Sequence, residues 1–88
     1  MPRLVSVAWA KYRCVVETQH ASADLRVDIR LETPNGKSVI KAAKALDVDG
    51  SVSIPVEDEY EKKPLMVVLL DAKGAVVAQR KTRIGEKS

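Results

Sequence analysis

Cys14 and His20 are the chain's single cysteine and single histidine. They are the one combination that could supply a nucleophile and its base. That chemistry needs thiolate and imidazole in contact and a third group to orient the ring. Cys14 lies in an alternating stretch, whereas His20 lies in the polar segment Thr18-Gln19-His20-Ala21-Ser22. The expectation is an inert buried thiol and a surface histidine. Glu57, Asp58, Glu59 and Glu61 bring four carboxylates close together. Acid–base work needs two carboxylates fixed across a cleft. Consecutive on a charged loop, these four splay into water, which leaves cation binding or contact with a basic partner as their possible uses.

Asp47-Val48-Asp49-Gly50-Ser51 resembles the start of a calcium-binding loop. Calcium takes six or more oxygens, and such a loop supplies a glutamate at its twelfth position. Counted from Asp47, that position holds Asp58, and Ser51 stands where a third carboxylate belongs. Val52, Ile54 and Pro55 run on as a strand, so a plain Asp-Gly hairpin turn is expected. Arg26 and Arg30 share one side of an alternating segment, and Arg80, Lys81 and Arg83 cluster near the C-terminus. Proteins that read nucleic acid on a sheet interleave cations with aromatic platforms. Trp9, Tyr12 and Tyr60 are the only aromatics, and Asp24, Asp28 and Glu32 offset the two arginines. The net charge of +3, from 15 basic and 12 acidic residues, is mixed and argues against a nucleic-acid partner. Trp9 is read as a core plug or, beside Tyr12, as an interface anchor. No phosphate-binding glycine loop, nucleophile elbow, zinc spacing or paired-cysteine motif occurs. The residues therefore predict no enzyme, no metal site and no cofactor. Trp9, Tyr12, Arg80, Lys81 and Arg83 are left as interaction candidates.

The elements that must position these residues are strands. In residues 23–32, Ala23, Leu25, Val27, Ile29 and Leu31 alternate with Asp24, Arg26, Asp28, Arg30 and Glu32. Period two gives one dry and one wet face, as in an antiparallel sheet with one side on a core. Residues 3–9 form a first strand with Val5, Val7 and Trp9 on one face. Tyr12, Cys14 and Val16 continue the alternation after a loss of phase near Ala10, where a bulge is expected. Thr33-Pro34-Asn35-Gly36 is a turn. Residues 37–46 fit a helical stripe or a strand; the turns on both sides favour strand over the alanine propensity for helix. Ser51–Val56 is a strand at an edge, because Pro55 cannot donate a ladder bond, and this edge and the basic stretch Arg80–Arg83 are the expected contact elements. Leu65–Leu70 is apolar on both faces and must sit centrally. Asp71-Ala72-Lys73-Gly74 turns into a last strand that carries Val76, Ala78, Thr82 and Ile84 on one face.

Six or seven short strands with a turn about every ten residues predict an all-β fold, a small antiparallel β-sandwich. Eighty-eight residues make one domain spanning 1–88, with 3–84 as its structured core and 85–88 frayed. With no phenylalanine, the core must be aliphatic. Lys11 and Arg13 interrupt the N-terminal apolar run too early for a secretory segment. No stretch approaches the roughly 18 apolar residues of a membrane span. A cytoplasmic location or a place in a larger assembly is expected.

Ala8-Trp9 on a first strand, Leu25–Leu31 on an alternating strand, Pro34-Asn35-Gly36 as its turn and Leu65–Asp71 with Lys73-Gly74 and Val76-Val77 as a final hairpin are the relevant features. Together they resemble the immunoglobulin-like and fibronectin-type-III-like sandwich modules of bacteria and phages. The Ala-Trp strand before an alternating strand is similar to modules on phage-tail and type VI secretion spikes. The resemblance implies a non-catalytic binding or structural module whose partner is another protein or itself, acting through a sheet edge or face. A small carbohydrate- or ligand-binding domain is the alternative reading, favoured if Trp9 and Tyr12 lie exposed side by side. A weak nucleic-acid-binding module is the third.

Overall fold

The computed structural model describes residues 2–86; of the tail expected to fray at 85–88, Lys87 and Ser88 lie outside the described residues, and the Glu86 N–H closes a turn onto the Arg83 carbonyl at 2.9 Å. Seven strands follow in order: β1 (Arg3–Ala10), β2 (Arg13–Gln19), β3 (Arg26–Thr33), β4 (Gly36–Ala45), β5 (Ser51–Pro55), β6 (Leu65–Leu70) and β7 (Val76–Thr82). They form a three-stranded sheet, β1-β2-β5, and a four-stranded sheet, β4-β3-β6-β7, with every neighbouring pair antiparallel. Residues 37–46 are therefore strand through Ala45, as the flanking turns require.

The two sheets enclose an aliphatic core. Val7, Cys14, Val16, Val27, Ile29, Ile54, Leu65, Val67 and Leu69 are essentially inaccessible. Leu4, Leu25 and Val56 complete the cluster. All six residues of β6 are buried. Leu65, Val67 and Leu69 face the inner core, and Met66, Val68 and Leu70 form a second cluster on the other face.

Three local departures from simple alternation shape the edges. In β1, Leu4 pairs with Thr18 and Ser6 with Glu17, so Val5 is an extra residue. The bulge sits there and not near Ala10. It turns Leu4 inward and leaves Val5 43% exposed, so Val5 does not share the face of Val7. In β7, Leu69 pairs with Ala78 and Leu70 with Val76. The bulged Val77 joins Ala78 against the core, while Val76 is half exposed. At its N-terminal end β3 is shorter than its alternation suggests. Ser22 to Leu25 form a turn, with the Leu25 N–H donating to the Ser22 carbonyl at 3.2 Å, and Ala23 is exposed.

Gly50 is required where it stands. Its φ is +83°, and a Cβ there would lie 3.0 Å from Thr18 Oγ1. Its N–H donates to the Asp47 carbonyl at 2.9 Å, and its carbonyl accepts the Thr18 N–H at 3.0 Å. The Asp47–Gly50 segment is thus a hairpin turn clamped to β2, with Asp49 Oδ1 accepting from the Ser51 N–H and hydroxyl. Among the described residues no group of three or more His, Cys, Asp or Glu is placed to hold a metal ion.

Candidate interaction surface

The five interaction candidates go to different places. Trp9 is half-buried against the core, and its indole Nε1–H donates to Thr82 Oγ1 at 2.9 Å. Thr82 is itself buried, so the bond ties β1 to β7 across the open side of the sandwich. Arg80 faces the interior in register with Val67. Its guanidinium donates to the carbonyls of Val5 and Leu4, both at 3.1 Å. These are carbonyls of the β1 bulge, so Arg80 caps groups that the irregular strand leaves over.

Tyr12 is 39% exposed in the turn between β1 and β2, and its hydroxyl donates to Glu61 Oε2 at 3.1 Å. That bond and the nearby Glu61 charge raise the Tyr12 pKa above its ordinary value. A shallow cavity of about 430 Å³ opens beside it, lined by Lys11, Tyr12, Glu61, Ile84 and Gly85. Trp9 does not line that cavity, and its indole N–H is turned to Thr82. Lys81 and Arg83 border a second cavity of about 250 Å³ with Glu32, Pro64 and Glu86. Two acidic side chains thus share it with the two cations. Arg83 also donates to the Lys62 carbonyl at 3.3 Å.

The remaining chemistry-bearing residues are equally quiet. Cys14 is fully buried, and burial pushes its thiol up to about 12. His20 is exposed in the segment after β2. Glu57 pairs with Lys41 at 2.6 Å, and that contact lowers its pKa.

The edges discriminate more sharply than the cavities. A sheet edge displays unpaired N–H and C=O groups that can pair with another chain. The β1 and β7 edges are laced together by Trp9 and Arg80. The β5 edge is five residues long and ends at Pro55. The β4 edge is ten residues long, and eight of them are exposed.

The register tells which β4 groups are free. Thr33 pairs with Gly36 around the two-residue turn Pro34-Asn35, followed by Glu32 with Lys37, Leu31 with Ser38 and Arg30 with Val39. Bonded and non-bonded pairs alternate in an antiparallel ladder, and the pair closing a two-residue hairpin is bonded. Lys37 and Val39 are then the non-bonded members. The Glu32 N–H agrees, since it donates away from β4 to the Pro64 carbonyl at 3.0 Å. Lys37 and Val39 therefore turn their backbone N–H and C=O outward. Their side chains lie on the outer sheet face, where Val39 is 47% exposed.

Sequence reasoning missed this surface because a strand read alone does not reveal which neighbour it lacks. Length gave no signal either, since the segments 23–32 and 37–46 are equally long as read from the sequence. Compared with protein-family models, with curated proteins and with solved structures, the chain matches none.

Proposed function

We propose that this chain is a non-catalytic interaction or structural module of the immunoglobulin-like sandwich kind, working within a larger assembly. It binds an extended segment of another protein along the Gly36–Val39 edge of β4. The observation that carries this reading is the contrast between edges: β1 and β7 are tied to each other by Arg80 and Trp9, β5 stops at a proline, and on β4 the exposed Lys37 and Val39 turn their main-chain groups outward. Strand addition at such an edge draws affinity from main-chain bonds and specificity from alternate side chains. Lys37 and Val39 would supply one cationic and one apolar contact on the same face. The division into three and four antiparallel strands supports the sandwich-module kinship.

The test is selection from a displayed library of unstructured ten-residue peptides, followed by binding to Val39→Pro. Val39 donates no ladder bond in this reading, so proline there leaves the sheet intact and blocks the edge. Selected peptides should bind the wild type and lose binding to Val39→Pro. Peptides that bind both equally, or that map to the Tyr12 cavity, overturn the edge reading.

A further inference from the structure

The open part of β4 ends at a latch. Between Val39 and Lys44 this strand takes five steps where β3 takes three, from Arg30 to Val27. Two residues more than the ladder needs must bulge. Ile40 packs against the core. Ala43 has φ +51°, in the left-handed region that residues with a Cβ seldom enter.

Asp28 holds Ala43 there. Its Oδ1 accepts the Ala43 N–H at 2.7 Å, and its Oδ2 accepts from Arg30 Nη2 at 3.1 Å. Asp28 is the one buried acidic or basic residue among the described residues. A buried carboxylate is costly unless hydrogen-bonded, and here a main-chain donor and a guanidinium both serve it. The Ala43 N–H, which a straight strand could offer to a neighbour, is instead turned back onto the sheet.

We propose that Asp28 is a stop on the β4 edge. It bends the Ala42–Ala45 stretch out of line, so that a second copy of this chain cannot pair along the whole strand, and only Gly36–Val39 stays open. The proposal rests on the reading of β4 as the open edge and concerns how that edge is limited. A second copy is the relevant occupant because an antiparallel β4–β4 pairing is self-complementary under a two-fold axis. It would join two four-stranded sheets into one continuous sheet. Val39, Ile40, Ala42, Ala43 and Ala45 are the apolar residues of the straightened strand; Lys37, Lys41 and Lys44 oppose self-pairing by like charge, so the dimer of an unlatched chain should strengthen as salt is added.

The experiment is light-scattering mass against concentration for the folded chain and its variants. The wild type should remain one chain per particle. Asp28→Ala should shift to two, and Asp28→Asn, which keeps an acceptor for the Ala43 N–H, should stay at one. Adding Val39→Pro to Asp28→Ala should restore one chain per particle. Ala43→Val leaves Asp28 intact but disfavours positive φ; it should self-associate as well, and it carries the test if Asp28→Ala does not fold. A folded, monomeric Ala43→Val overturns the stop. So does an Asp28→Asn that dimerises like Asp28→Ala, or a dimer that survives Val39→Pro. Peptide binding that still depends on Val39 would then leave the open-edge reading standing without the stop.

Discussion

Arg80, Lys81 and Arg83 are near neighbours in the sequence, yet the sheet separates them. Period two sends Arg80 to the interior and Lys81 to the outer face. Arg80 then finds two bulge carbonyls, and Trp9 finds the Thr82 hydroxyl. These side chains hold the sandwich shut. Thr82→Val keeps the shape and leaves the indole N–H without its partner, so it should cost about 1 kcal/mol in a denaturant titration. Trp9→Ala also removes packing and should cost about 3 kcal/mol. Neither substitution should weaken peptides selected on the β4 edge. Cys14 gives a second residue-scale prediction. A thiol that burial holds near 12 reacts only when the core opens. Its labelling rate at neutral pH should therefore follow the unfolding equilibrium and rise with denaturant. Labelling as fast as a free thiol in the native state contradicts the packing described.

At the scale of elements, what could be read from sequence was whatever depends on neighbours along the chain. Turns at Pro34-Asn35-Gly36, Asp47–Gly50 and Asp71–Gly74 were legible, because glycine and asparagine chemistry is local. The central place of β6 was legible too, since Leu65–Leu70 offers no polar face to water. The bulges at Val5, Ile40, Ala43 and Val77 were not. Each depends on which strand lies alongside, and only pairing shows where one strand carries a residue too many. Asp28 was hidden for the same reason: alternation assigns it to the wet face, and the β4 bulge then folds over it. Two substitutions test these local geometries. Ala43→Gly removes the steric cost of φ +51° and should stabilise the fold by up to about 1 kcal/mol. Gly50→Ala places a methyl group against Thr18 at φ +83° and should destabilise it by about 1–2 kcal/mol. Denaturant midpoints measured side by side would check both signs.

For the whole molecule, titration and the free edge make separate predictions. Hydrogen bonds from Ser22, from Ser51 and from Lys41 lower the pKa values of Asp24, Asp49 and Glu57 respectively. A carboxylate lowered on folding stabilises the fold above its ordinary range, and that stability is lost as pH falls. Tyr12 and Cys14 are raised, so their contribution is complete below their ordinary values and is lost as pH rises past them. The thermal midpoint should be flat from about pH 5 to about pH 8 and fall on both sides. The acid limb should be shallow, because the carboxylates concerned are solvent-exposed. The central claim is that β4 is the edge at which this module takes a partner strand. Amide hydrogen exchange at Lys37 and Val39, with and without a selected peptide, tests it most directly. Both amides should exchange rapidly in the free chain and become protected in the complex. Protection already present in the free chain, or a complex that protects the residues around Tyr12 and Ile84 instead, would contradict it.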